Sequence, residues 1–253
     1  MASVEGKVII VTGAARGLGR AYATALASDG ARVVAGDIRD SSDTVSEIKS
    51  SGGDALAVEL NVGDAASCEA MAASALETYG RVDGIINNAA LYGGLESSKA
   101  EAIAEEDWQS VMDINVSGVW RCCKAVIPHL RANGGGSIIN IASLAAVYGM
   151  PNALHYATSK AAVIGMTRSM ARELGRSWIR VNAIAPSAVM TEGTEEFFGE
   201  RLEKAKQVIA GGQSLQRNLE TEDLVGTVRY LLSDDSKFVT GQTIMVDGGT
   251  VFL

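Results

Sequence analysis

Residues 7–19 read KVIIVTGAARGLG, an apolar and largely β-branched run that stops at Gly13, with further glycines at 17 and 19. The run is short and lacks a helical period, so it reads as a strand buried on both faces. Residues 18–29 then read as a helix that Gly30 stops. Glycines in a strand-to-helix turn let the backbone approach a diphosphate closely. The helix that starts there turns its free N–H groups and positive dipole end toward that anion. Such a turn alone is a weak signal, because glycines also serve packing. Its place in the first strand–helix–strand unit makes nucleotide binding the better reading. The spacing is TGxxxGxG rather than GxGxxG.

The same alternation continues outward from this unit. Further strands are read at residues 31–37, 54–60, 81–90, 137–143, 178–186 and 242–249. Helices are read at about 44–50, 65–79, 107–131, 152–174 and 221–232. That gives seven strands and six helices, with no internal repeat and no linker rich in Pro, Gly or Ser. Apolar strands alternating with amphipathic helices imply a parallel sheet covered on both faces, with right-handed connections and ligands at the carboxyl ends of the strands. The expectation is a single doubly wound α/β domain over residues 1–253, of Rossmann type, with a seven-stranded parallel sheet flanked by helices. Residues 188–215 are set apart as a segment able to cover the site.

Composition excludes several classes of function. The chain has 253 residues, 47% of them hydrophobic, which is enough for a sizeable core. Its net charge of −8, from 22 basic and 30 acidic residues, argues against nucleic acid as a partner, because phosphate backbones demand basic patches. No apolar stretch approaches the length of a membrane span, and the N-terminus carries no secretory pattern, so a cytoplasmic location is expected. Cys68, Cys122 and Cys123 form no metal-binding spacing and read as reduced helical thiols; no metal is expected.

The ends of the strands carry the candidate chemistry. Asp37 closes the second strand, where a carboxylate can accept hydrogen bonds from the adenosine ribose hydroxyls. It would also repel a 2′-phosphate, since unit charges about 5 Å apart at an effective dielectric near 20 cost roughly 3 kcal/mol. That favours NAD over NADP. Arg16 and Arg39 complicate this choice, because either could clamp a phosphate or simply be surface charge. Asn61 and Val62 lie where an adenine ring would rest. Residues 87–90, NNAA, offer small side chains at the exit of the fourth strand, where Asn88, Ala89 and Ala90 would admit a ribose and nicotinamide.

Residues 155–160 read HYATSK. On a helix Tyr156 and Lys160 project side by side. An ammonium next to a phenol favours the phenolate and is expected to lower the tyrosine pKa toward neutrality. Ser143, ending the strand before this helix, can reach the same substrate oxygen. By itself a Tyr-x-x-x-Lys pair is more often a packed tyrosine beside a snorkelling lysine. The strand-terminal serine and the upstream nucleotide turn reverse that preference. His155 is expected at the pocket rim or in packing, and not as the base.

Taken in order, TGAARGLG, NNAA, IASLAA, YATSK, VNAIAP and GQTIMVDGG resemble the short-chain dehydrogenase/reductase family, in its single-domain branch, along nearly the whole chain. The resemblance implies Tyr156 as the catalytic acid/base and Ser143 as the group that steadies the substrate oxygen. It also implies Lys160 on the nicotinamide ribose and Asn115 anchoring a water at the end of a proton relay. Cofactor contacts follow for Gly13, Arg16, Gly17, Leu18, Gly19, Asp37, Ile38, Asn61, Val62, Asn88, Ala89, Ala90, Pro186 and Val189, with Thr191 on the nicotinamide carboxamide. A homotetramer is the implied assembly. Three positions depart from the family pattern: Ala90 in NNAA, Ser187 in place of a glycine after Pro186, and Asn61 in place of an aspartate. None removes a catalytic group.

Leu91, Tyr92, Leu144, Tyr148 and Met150 are the candidate substrate-pocket residues, with the segment 190–212 read either as a lid or as a surface helix pair. Such an apolar lining suits a small hydrophobic secondary alcohol or ketone, aryl or cyclic, as the small-molecule partner. The resemblance is closest to members that use NAD on such alcohols. The alternatives are an NADPH-dependent 3-ketoacyl-thioester reductase of the same family and, more remotely, a non-catalytic nucleotide-binding protein.

Overall fold

The computed structural model describes residues 3–252. In chain order the elements are β1 (Val8–Thr12), α1 (Gly17–Ser28), β2 (Arg32–Asp37), α2 (Ser42–Ser50), β3 (Asp54–Glu59), α3 (Ala65–Tyr79) and β4 (Gly84–Asn87). Then come α4 (Glu105–Met112), a π-helical turn (Asp113–Ser117), α5 (Gly118–Ala132), β5 (Gly136–Ile141), α6 (Ala145–Tyr148) and α7 (Leu154–Leu174). The chain finishes with β6 (Ile179–Pro186), α8 (Glu192–Phe198), α9 (Leu202–Gly212), α10 (Glu222–Leu232) and β7 (Thr243–Val246). The seven strands form one sheet in the order β3-β2-β1-β4-β5-β6-β7, and every pairing is parallel. This is the expected doubly wound Rossmann-type α/β fold.

Why β1 lies at the centre follows from its composition. All five of its residues are buried. Val8 and Ile10 point into the core formed with α3, α5 and α7, while Ile9 and Val11 point into the core formed with α1, α2 and α10. Alternation sends successive side chains to opposite faces, so a run apolar at every position requires cover on both sides. Burying each of these side chains contributes about 1.5–3 kcal/mol. Chain order reverses between β1 and β4, and the crevice at their carboxyl ends is where a ligand site forms in such sheets.

Polar side chains then pin that crevice. The Thr12 hydroxyl accepts from the Asn88 and Ala89 amides, both at 3.0 Å, and the Asn88 side chain donates to the Thr12 carbonyl at 3.0 Å. One step along the sheet, Asn87 and Asn140 are in register and bonded through their side chains at 2.8 Å; Asn140 continues to the Thr167 hydroxyl of α7 at 2.9 Å. This buried chain of amides fixes α7, and thus residues 155–160, against β4 and β5.

Two helical readings are corrected. The single helix expected over residues 107–131 is α4 and α5 joined by a π turn, which carries the buried Asn115. A π turn inserts an extra residue and shifts the face that follows, which a 3.6-residue pattern does not reveal. The count of six helices also falls short, because α4, α6, α8 and α9 are separate elements. Among the described residues no helix is long and apolar enough to cross a membrane.

Candidate active site

A cleft of about 790 Å³ runs along the carboxyl ends of the strands, from Gly13, Asp37 and Asn61 at one end to Ser143, Tyr156 and Lys160 at the other. The glycine-rich turn forms its floor. Gly13 and Gly17 hold positive φ angles of 70° and 54°, a region closed to most side chains. The Gly13 and Ala14 amides are satisfied by the Gly36 carbonyl, and Arg20 braces the turn through the Ala15 carbonyl at 2.8 Å and Thr44 at 3.0 Å. At the start of α1 no side chain makes a capping bond. An uncapped helix start beside an open cleft is suited to a phosphate. Gly19 lines no part of the cleft. Its role is close approach, since a Cβ there would overlap the Gly13 carbonyl oxygen and come within 2.7 Å of the Asn88 side chain. Gly19→Ala is therefore expected to destabilise the fold by about 1–3 kcal/mol, as overpacked sites do, and to weaken nucleotide binding. Thermal unfolding and a nucleotide titration read both effects.

Asp37 is fixed by two backbone amides. One carboxylate oxygen accepts from the Ala15 amide and the other from the Arg39 amide, each at 2.9 Å. The carboxylate is buried yet borders the cleft. Ile38 beside it is exposed, while Val62 is buried against Gly118. Asn61 uses its carbonyl oxygen to accept from Gly63 at 2.9 Å and lines the cleft. The residues at this end thus form a cradle that fits an adenosine and a diphosphate.

At the other end, Tyr156 and Lys160 are both buried on one face of α7. The Lys160 ammonium lies 5.7 Å from the Tyr156 ring centroid and donates to the Ile141 carbonyl at 2.8 Å. Burial pulls its pKa down to about 8. The expected lowering of the Tyr156 pKa is not found in this arrangement. Burial pushes the phenol well up, Tyr92 adds to the rise, and the hydrogen bond with the Ser143 hydroxyl works against both. The reason is desolvation: a buried phenol loses the water that would stabilise its phenolate.

Asn115 is fully buried. Its carbonyl oxygen accepts from the Leu91 amide at 2.7 Å, and its amide donates to the Leu91 carbonyl at 3.1 Å and to Ser159 at 3.2 Å. It ties the loop after β4 to α7 and does not line the cleft. His155 is likewise buried and away from the cleft, with Nδ1 lacking a partner among the described residues. Packing is thus its place, and the pocket rim is not.

Leu91, Tyr92, Leu144, Tyr148, Met150, Pro186, Val189 and Thr191 also line the cleft. Tyr92 stacks on Phe197 of α8 at 4.9 Å between centroids and leans on Tyr156 at 5.1 Å. Ser187, where a glycine was the pattern, keeps a negative φ and donates its amide to the Val246 carbonyl at 3.0 Å, so the turn accepts it without strain. Helices α8 and α9 cover the cleft. Their ends are tied down by Met190 to the Leu219 carbonyl and Leu215 to the Gly248 carbonyl. One participant escaped the sequence reading: Glu196 of α8, which forms an ion pair with Arg16 across the cleft mouth. It sits in an acidic amphipathic stretch whose pattern matches any solvated surface helix, so no local signal marks it.

A family model described as enoyl-(acyl carrier protein) reductase matches residues 13–251. Among curated proteins, the 3-oxoacyl-(acyl-carrier-protein) reductase of Thermotoga maritima is 38% identical over 250 residues, covering 98% of this chain and 99% of the relative. The protein of the same name from Synechocystis is 37% identical over 255 residues, covering 99% of each. Among solved structures, a carveol dehydrogenase from Mycobacterium avium in complex with NAD superposes with a TM-score of 0.92 at 32% identity, covering 98% of both chains. With the parallel sheet, the glycine-rich turn and the Ser143–Tyr156–Lys160 cluster in place, the chain belongs to the short-chain dehydrogenase/reductase family and is an oxidoreductase.

Proposed function

We propose that this oxidoreductase interconverts a small hydrophobic secondary alcohol and its ketone with NAD(H). The observation that carries the cofactor choice is the Asp37 carboxylate, fixed by two backbone amides at the carboxyl end of β2. A carboxylate there accepts from ribose hydroxyls and repels a phosphate. The apolar wall of Tyr92, Leu144, Met150 and Phe198 supports a hydrophobic substrate, as does the likeness to the carveol dehydrogenase.

In this reading the nicotinamide, when bound, takes or supplies the hydride. The chain's own groups orient, exclude water and move the proton. Tyr156 exchanges a proton with the substrate oxygen, and Ser143 donates a hydrogen bond to that oxygen. Lys160 holds the ribose hydroxyls and contributes positive charge beneath the phenol. Asn115 acts as a positioning residue that holds the Leu91 loop against α7, with its water relay part of the same proposal. Helices α8 and α9 act as the lid. Assembly as a homotetramer and a cytoplasmic location, both implied by the family resemblance, complete the proposal.

A second reading, an NADPH-dependent 3-ketoacyl-thioester reductase, is favoured by the names of the Thermotoga and Synechocystis relatives. One experiment separates the two. NADH and NADPH are titrated, then each is supplied with cyclic and aryl ketones and with a 3-ketoacyl thioester. The expected result is preference for NADH, turnover of the ketones, and a roughly tenfold weakening of NADH by Asp37→Ala, the scale of losing a charge-assisted hydrogen bond. NADPH preference with the thioester as the better substrate overturns the first reading.

A further inference from the structure

The nucleotide turn and the helix above it meet through one long-range contact. Arg16 is the residue preceding α1, and Glu196 lies 180 positions later in α8. Both guanidinium Nη atoms donate to the carboxylate, Nη2 to Oε2 at 2.8 Å and Nη1 to Oε1. This two-pronged geometry suits arginine and carboxylate, and it occupies the face of the guanidinium that would otherwise receive a phosphate. Arg39, the second cation near the end of β2, also acts on Glu196: Arg16 first and Arg39 second hold its carboxyl below the usual range. Glu192 and Asp37 add negative charge around Arg16. The Arg16 guanidinium is therefore paired with a carboxylate carried by α8, and Arg39 lies within electrostatic reach of the same carboxylate.

We propose that Glu196 is a cofactor-discriminating residue: by holding the Arg16 guanidinium across the cleft mouth it withholds that cation from a 2′-phosphate, so that α8, as well as Asp37, selects NAD. A 2′-phosphate would have to displace Glu196 from Arg16 or bind beside an uncompensated carboxylate. A ribose hydroxyl meets neither penalty. Discrimination of this kind is a difference between two ligands, set by a repulsive element as much as by an attractive one. This inference rests on the reading of the cleft as a dinucleotide site that prefers NAD.

The test measures dissociation constants for NADH and NADPH, by nicotinamide fluorescence, in three proteins: the parent, Glu196→Gln, and Glu196→Gln combined with Arg16→Gln. Glutamine keeps the size of the side chain and removes its charge. In Glu196→Gln, NADPH is expected to tighten about fivefold relative to NADH at low salt, a modest change fitting a partly exposed pair. The gain shrinks as salt is raised and disappears when Arg16 is also replaced. A merely structural role would loosen α8 and weaken both nucleotides alike. An unchanged NADPH-to-NADH ratio, or a gain that persists without Arg16, overturns the proposal. The parent protein's own preference tests the NAD reading separately, because the Glu196 effect is read only as a change in that ratio.

Discussion

Replacing Tyr156 by phenylalanine is expected to lower kcat/KM about a thousandfold, within the range by which a positioned acid or base accelerates proton transfer. The substitution is suited to isolate chemistry from packing. Tyr156 is 8% exposed and its ring packs against Tyr92, so phenylalanine keeps the ring contact and removes only the hydroxyl. NADH affinity and the unfolding midpoint should therefore change little. The pH dependence adds a second readout. Because burial holds the phenol well above its ordinary value, it stays protonated through the neutral range and is ready to donate to a ketone oxygen. Alcohol oxidation needs the deprotonated form, so its rate should climb as pH rises, while ketone reduction falls once the phenol titrates. A Tyr156→Phe protein with parent-like turnover would place the proton transfer elsewhere.

The second large effect joins activity to stability at Lys160. Lys160→Met is expected to reduce kcat/KM about a hundredfold, the lower end of acid–base contributions, because the charge beneath Tyr156 and the ribose donor are both lost. The same change should stabilise the folded chain at neutral pH. The ammonium is buried and its pKa falls from 10.5 to about 8. The unfolded chain therefore binds the proton more tightly, and between those two values stability rises with pH. Below pH 8 the full penalty is present; it is relieved as pH climbs toward 10.5. That difference corresponds to about 3 kcal/mol, offset by about 1 kcal/mol for the lost bond to the Ile141 carbonyl. Urea unfolding should then show the variant about 2 kcal/mol more stable at pH 7. Near pH 10.5 that advantage should have largely gone. A variant less stable at pH 7 would contradict the burial argument. The retention of an unfavourable buried charge is intelligible if the site needs it, as strained functional sites do.

Much of this was legible because it depends on spacing along one element. The run Val8–Thr12 announces a doubly covered strand through composition alone. Tyr156 and Lys160 share a face by helical period, Gly13 and Asp37 lie at the ends of readable strands, and Gly17 opens the helix after the first of them. Other features depend on what two distant segments do together. The π turn at Asn115 forms where α4 and α5 must meet both the Leu91 loop and α7. The direction of the Tyr156 pKa depends on how completely the phenol is buried and on which groups, Tyr92 and Ser143, are brought beside it.

By itself, then, the amino-acid sequence determined the parallel doubly wound sheet, the order of its motifs and the residues at the carboxyl ends of its strands, because hydrophobic period and turn chemistry are local. Only the tertiary structure decided how those residues are charged and held. Burial put the phenol up and the lysine down, Tyr92 joined Tyr156 to Phe197, and Glu196 came to rest on Arg16. Desolvation and ion pairing act through space, between groups as far apart in the chain as Arg16 and Glu196, and no local pattern encodes them.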